Sequence, residues 1–142
     1  MTTDFAVFPD AEYLAVRILK DDATGVFSPF TPRIGTKLPA DPDWVHGVVQ
    51  VQRVGGVPTQ RRWLDHPNIQ VDVWAETKAD AHDIAQRARV CLFRAEGKII
   101  YKDVTRLAVI TGVDDALGMH WEFDPLSLKP RYTFAVYFTD HP

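Results

Sequence analysis

The sequence has 142 residues, 46% of them hydrophobic and 11% aromatic, with 16 basic and 19 acidic side chains and a net charge of −3. This length predicts one domain, and the apolar content is enough to fill a core, which excludes a mostly disordered chain. The negative net charge disfavours a protein whose main task is to bind DNA.

The single cysteine, Cys91, excludes an internal disulfide and fits a reducing compartment. The first residues lack the basic start and apolar run of a signal peptide. No apolar stretch approaches the roughly 18 residues that a membrane-spanning helix needs. We therefore expect a soluble, cytoplasmic protein without a membrane partner.

The first predicted elements are a short helix and an extended arm. Asp10 is a suitable N-cap for an amphipathic helix over Ala11–Lys20. Residues 21–46 are rich in proline and glycine, which disfavours regular structure. We expect this arm to dock on another surface, since a flexible linker would be polar. Its apolar side chains are Phe27, Phe30, Ile34 and Leu38.

A β-hairpin and a longer helix follow the arm. Alternating apolar and polar residues predict two strands over residues 47–74. Thr77, with an acidic residue three positions later, begins a capping box. Apolar residues at spacings of three and four then predict the main helix over residues 77–96, which Gly97 ends.

Residues 104–139 contain two further alternating stretches, one over Leu107–Thr111 that Gly112 ends and one over Tyr132–Thr139. Strands joined by hairpins are antiparallel, and two helices can cover one face of a small sheet. The predicted fold class is therefore α+β: a single domain with a four-stranded, mainly antiparallel sheet covered on one face by two helices, plus the arm and the β-hairpin.

The residue types that carry chemistry do not form a catalytic, metal or phosphate-binding pattern. The histidines lack the spacing of metal ligands, and Cys91 falls on the apolar stripe of its helix, which is typical of a small core residue. Asp114 and Asp115 point apart in an extended chain, so a loop cap is favoured over a carboxylate pair. The tripeptide Asp-His-Pro occurs at residues 65–67 and 140–142, which we interpret as coincidence. We predict no enzyme activity, no metal and no cofactor.

Candidate contact residues concentrate in the hairpin. It carries Arg53, Arg61 and Arg62 beside Trp63 and no acidic residue between residues 47 and 64. Arginine next to tryptophan is typical of interface anchors, with a solvated turn as the alternative. By alternation, Trp74 lies on the sheet face opposite the apolar one. Either the arm or a neighbouring subunit should cover Trp74.

Several segments resemble one known family. VQVQRVGG at Val49–Gly56 is followed by DHPNIQVDVWAET at Asp65–Thr77, then by an alanine-rich helix, and finally by Pro130–Tyr132, which opens the last strand. Together these segments resemble the tail-terminator, or tail-completion, proteins of long-tailed bacteriophages, especially phages of actinobacteria. The resemblance extends from Val48 to Phe138.

This resemblance implies a structural virion protein, assembled in the host cytoplasm and located at the junction of tail and neck. Copies would close into a ring, expected to be a hexamer, that caps the tail tube and ends its polymerisation. The implied partners are other copies of the chain, the major tail tube protein and the head-closure or neck connector protein. DNA would only pass through the ring, without being read.

Two alternatives stay open at the level of sequence. The first is a head-closure or connector protein of the phage neck, which would also form a ring. The second is a small cytoplasmic α+β ligand-binding domain or enzyme, with the loop around His120 and Trp121 over one end of the sheet as its pocket.

Overall fold

The fold is that of a computed structural model, which describes residues 7–21, 25–58 and 63–142. Within these ranges the chain forms two helices and six strands. In chain order they are α1 (Ala11–Lys20), β1 (Arg33–Gly35), β2 (Val48–Gly55), β3 (Asn68–Trp74), α2 (Lys78–Phe93), β4 (Ile99–Lys102), β5 (Thr105–Phe123) and β6 (Pro130–His141).

One mixed sheet contains all six strands, in the order β1-β2-β3-β6-β5-β4. β1 runs parallel to β2, and the other neighbouring pairs are antiparallel. The predicted α+β fold with a four-stranded, mainly antiparallel sheet covered by helices is therefore wrong. The protein is mostly β, and its sheet curls into a half-barrel that carries two helices.

Two short strands explain part of this difference. β1 lies inside the arm that was expected to be irregular, and its three residues pair with Val48–Gln50 of β2. β4 has four residues and follows Gly97 closely. Strands this short contain too few alternating residues to be recognised by periodicity, so the sequence pattern missed both edges of the sheet.

β5 is longer than predicted because Gly112 does not end it. β5 has 19 residues, of which Val109–Phe123 pair with the 12 residues of β6, and Gly112 lies opposite Thr139 within that pairing. Three register shifts, each with one extra residue on β5, fit the longer strand to the shorter one. Such bulges bend a strand and increase its twist, which accounts for the curl of the sheet.

Both helices begin at the predicted caps. The Asp10 carboxylate accepts a hydrogen bond from the Glu12 N–H at 3.0 Å, and the Thr77 hydroxyl accepts one from the Asp80 N–H at 3.1 Å. α2 ends at Phe93, earlier than the expected end at residue 96. Satisfied N–H groups at the first turn stabilise each helix by about 1 kcal/mol.

The core lies between the two helices and one face of the sheet. Apolar side chains of α1, α2, β2, β3 and β6 meet there and are fully buried, among them Leu14, Ile84, Val51, Val71 and Phe134. Cys91 is also buried in this core. The residues that alternate with the core residues of β2, β3 and β6 form the opposite face of the sheet.

The arm packs against the core of its own chain. Phe27 is buried, and Phe30 and Ile34 are half-buried against the core cluster. Arg87 of α2 donates a hydrogen bond from Nη1 to the carbonyl oxygen of Val26 at 2.7 Å. The arm is therefore joined to the domain both by β1 and by a bond from α2.

Candidate interaction surfaces

An open groove of about 520 Å³ lies on the sheet face opposite the helices. One wall is the later part of the arm, the floor comes from β2, β3 and β6, and the far wall is the turn between β5 and β6. The lining side chains include Leu38, Trp44, Gln50, Gln52, Gln70, Asp72, Trp74, Leu126 and Arg131. We call this depression the groove.

The buried carboxylate of Asp72 in the groove floor is paired with neighbouring side chains. The carboxylate of Asp72, which is buried, accepts hydrogen bonds from the hydroxyl of Thr133 at 2.6 Å and from Nε2 of Gln70 at 3.1 Å. Buried polar groups without partners would cost free energy, so this pairing lets polar residues occupy the centre of the sheet. The Asp72 carboxylate in the floor is therefore satisfied within the chain.

Trp74 is covered by its own chain. Its indole Nε1–H donates to Oδ2 of Asp124 at 2.7 Å, and the guanidinium of Arg131 lies 5.8 Å from the ring. Trp44 and Leu38 of the arm line the same groove. The sequence predicted that either the arm or a neighbouring subunit covers Trp74. A neighbouring subunit is not needed to bury Trp74, because the side chain is already buried within its own chain.

Asp124 organises the turn between β5 and β6. Besides the Trp74 indole, its carboxylate accepts hydrogen bonds from the Ser127 hydroxyl at 2.6 Å and from the Leu126 N–H at 3.2 Å. These bonds lower the pKa of Asp124, the Ser127 hydroxyl most, because each favours the charged carboxylate, while burial acts in the opposite direction. A buried carboxylate therefore holds this exposed turn in one conformation.

The same turn presents large apolar side chains to solvent. Leu126 is 95% exposed and Leu128 is 72% exposed, and Trp121 and Phe123 are exposed at the adjoining end of β5. We call these four residues the apolar turn. Leu128 has a φ of +59°, a left-handed conformation that costs a non-glycine residue about 1 to 2 kcal/mol. The turn thus keeps a strained leucine and a cluster of apolar groups in water.

Charged residues flank the apolar turn. Glu122 accepts a hydrogen bond from Arg131 and lies 2.8 Å from Nε2 of His120. The Glu122 carboxylate, with the Gly118 carbonyl, raises the pKa of His120, and the same His120 contact is the main cause that lowers the pKa of Glu122. All three side chains are partly exposed, so the cluster forms a polar border rather than a buried acid–base pair.

The predicted contact residues of the arm lie in different environments. Phe27 belongs to the core, and Phe30 and Ile34 pack beside it. Leu38 is exposed at the rim of the groove. Among these four residues only Leu38 is a large exposed apolar side chain, at 44% exposure, and the role of all four as contacts stays a prediction.

Arg53, predicted as a contact residue of the hairpin, is bonded within its own chain. Its guanidinium donates to both carboxylate oxygens of Asp65, at 2.9 and 3.1 Å, and to the carbonyl oxygens of Gly55 and Gly56. These four hydrogen bonds hold the end of β2 in place, and the role of Arg53 as a contact stays a prediction. Sequence analysis missed this role because the acidic partner lies beyond the predicted basic stretch.

Of the other predicted contact residues of the hairpin, the structure describes Trp63 but not Arg61 or Arg62. Trp63 is 64% exposed. Arg61 and Arg62 lie outside the described residues. Trp63 therefore stays available as a contact, whereas the placement of the two arginines is not part of the structure.

Sequence analysis did not single out Leu126 and Leu128 as contacts. The available signal was a set of four apolar residues, separated by polar residues and Pro125, in a segment expected to be a loop: Trp121, Phe123, Leu126 and Leu128. Apolar residues in a turn have no core to face, so they indicate either local packing or a partner.

The described residues do not contain a group of three histidine, cysteine or acidic side chains placed to hold a metal ion. Neither described helix has the length and apolar content that crossing a bilayer requires. No protein-family model matches the sequence, and no curated protein matches it either.

Proposed function

We propose that the chain is a structural assembly protein, the tail terminator of a long-tailed bacteriophage. Copies of it form a ring, expected to be a hexamer, on the end of the tail tube, stop tube growth and offer a surface to the neck connector. The sequence resemblance named above supports this proposal. So does the apolar turn, which is the structural observation that carries it.

An exposed turn built from a strained leucine and three other apolar residues costs free energy in an isolated chain. Burial against another protein recovers about 25 cal/mol for each Å² of apolar surface removed from water. A catalytic role would give no reason to hold these side chains in solvent. A structural contact does, because it converts the exposed area into binding free energy.

Ring formation requires two different surfaces on each copy that meet after a fixed rotation. The apolar turn lies at one end of the long β5–β6 pair, while Trp63 lies in the connection between β2 and β3. The apolar turn and the exposed Trp63 are two separate regions of this kind. A net charge of −3 suits a ring through which DNA passes without being retained.

The proposal is tested by mixing purified protein with polymerised tail tubes and measuring tube length and end structure by electron microscopy. The native chain should cap the tubes and give a uniform length. Joining to neck connector particles but not to tube ends would instead identify the head-closure protein.

Substitution of the apolar turn identifies the contact. Leu126→Asp combined with Leu128→Asp should lose capping at protein concentrations where the native chain is saturating, with the melting temperature unchanged or slightly higher. Val104→Asp is the matched control, because Val104 is 94% exposed in the turn between β4 and β5 and carries no predicted contact. Undiminished capping by the double variant would refute the assignment of the apolar turn.

A further inference from the structure

The two Asp-His-Pro copies are brought together by the fold. Asp65 and Asp140 form an antiparallel bridge in which each N–H donates to the other's carbonyl oxygen, at 2.8 and 3.1 Å. Residues that exchange both backbone hydrogen bonds place their side chains on the same side of the sheet, about 5 Å apart at Cβ. The bridge therefore sets two carboxylates side by side.

Both carboxylates are buried, but only one is satisfied. The Asp65 carboxylate accepts two hydrogen bonds from Arg53 and one from the His66 N–H at 2.9 Å. Asp140 is 0% exposed, and neither of its carboxylate oxygens has a hydrogen-bond partner among the described residues. An ionised carboxylate in that position is costly, whereas a protonated one is neutral and can donate a proton to a neighbouring oxygen.

No charged side chain among the described residues makes a hydrogen bond to the Asp140 carboxylate. The ionisable side chains on the surrounding elements form hydrogen bonds to other groups. Glu12 of α1 accepts from the Arg53 N–H, and His66 bonds to Thr139. Arg106 of β5 and His141 of β6 both bond to the carbonyl oxygen of Pro142. Lys98, before β4, lies on the far side of β5, where its carbonyl accepts from Ile110. Asp65 and Arg53 act electrostatically on Asp140 in opposite directions, Asp65 raising its pKa and Arg53 lowering it.

We propose that Asp65 and Asp140 form a pH-sensitive switch that holds the segment of residues 63–67, before β3, against the end of β6 while Asp140 is protonated, and that loosens this segment when Asp140 ionises. Three backbone hydrogen bonds make this attachment: the two of the bridge, and one from the Phe138 N–H to the Pro67 carbonyl at 3.0 Å. This segment begins with Trp63, so the switch controls how firmly an exposed aromatic side chain is positioned. This inference does not depend on the proposed function.

The direction of the effect follows from proton linkage. Burial, and secondarily the Asp65 carboxylate, raises the pKa of Asp140 to about 7 from its ordinary value of 3.8, while Arg53 opposes the change. Opening exposes Asp140 to water and returns its pKa towards the ordinary value, so opening releases a proton between these limits. The opening equilibrium should therefore rise with pH by up to about tenfold per pH unit between about pH 4 and pH 7, and level off above that.

Amide hydrogen exchange of the full chain, followed by mass spectrometry on peptides that cover Trp63–Asn68, measures this opening. After correction for the intrinsic pH dependence of exchange, the native chain should show the predicted rise and plateau. Asp140→Asn cannot ionise and should show slow exchange that is independent of pH. Asp114→Asn, which alters an exposed acid of β5, is the matched control and should keep the native pH dependence.

Three results would overturn the inference: a native chain whose opening does not change with pH, an Asp140→Asn variant with the native slope, or an Asp114→Asn variant without it. Should Asp140→Asn fail to fold, a carbon-13 NMR titration of the native chain decides. A midpoint for the Asp140 carboxyl near 7 supports the switch, and a midpoint near the ordinary value removes it.

Discussion

The hydrogen bond between Trp74 and Asp124 gives the sharpest test of how the groove and the apolar turn are held together. Trp74→Phe keeps an aromatic ring in the floor of the groove but removes the Nε1–H that donates to Asp124 at 2.7 Å. Both residues are buried, so the substitution leaves a buried carboxylate with one donor fewer. A hydrogen bond to a charged group contributes about 1.5 to 3 kcal/mol, and the smaller ring adds about 1 kcal/mol for lost contacts.

We therefore expect Trp74→Phe to lower the free energy of unfolding by about 2 to 4 kcal/mol near neutral pH. The assay is urea denaturation followed by circular dichroism, with the slope compared between variants to confirm that the unfolded states are alike. Trp121→Phe is the matched control. Its indole is exposed, with Lys78 4.6 Å above the ring, so it should cost less than about 1 kcal/mol.

The pH dependence of this cost provides a second check. The pKa of Asp124 is lowered in the folded protein, so its contribution to stability is present above the ordinary value of 3.8 and is lost as pH falls through the lower folded value. Removing the indole donor raises the folded pKa of Asp124, and the native and variant curves should converge in acid. A Trp74→Phe cost equal to that of Trp121→Phe, or one that is unchanged in acid, would refute the reasoning.

Three further predictions concern the β2–β3 connection. Gly56→Ala should destabilise the fold by more than about 3 kcal/mol in thermal melts, because Gly56 has a φ of +86° and an added Cβ would lie 2.0 Å from a backbone oxygen. Gly25→Ala is the control and should cost about 1 kcal/mol, because Gly25 has a φ of +66° but open space around an added Cβ. Arg53→Ala should cost about 3 to 5 kcal/mol in urea denaturation at neutral pH, because it leaves the buried Asp65 charge unpaired, and a cost below 1 kcal/mol would contradict that pairing. The Asp140→Asn variant should be as stable as the native chain near pH 4 and more stable by up to about 4 kcal/mol above pH 7. The reason is that the raised pKa of Asp140 in the folded native chain makes that chain lose stability as pH rises. Stability curves of the two chains that run parallel with pH would exclude this.

The candidate contact surfaces show where sequence reasoning reached its limit. Trp63 and Leu38 are exposed, and sequence had already singled them out. Arg53 has the composition of an interface anchor, yet its guanidinium is taken up by Asp65. Whether a charged side chain is free or paired depends on which distant residue the fold places beside it, and composition does not contain that information.

Local chemistry is what the sequence by itself determined. The caps at Asp10 and Thr77 act within one turn, and alternation along β2 and β3 assigns each side chain to a face, so these features could be read without knowing the rest of the fold. Tertiary structure alone decided the six-stranded order, the passage of β5 through Gly112, and the meeting of Trp74 with Asp124 fifty residues away. The physical reason is that strand pairing and buried polar contacts gain their free energy only when chain segments far apart in sequence adopt one common register.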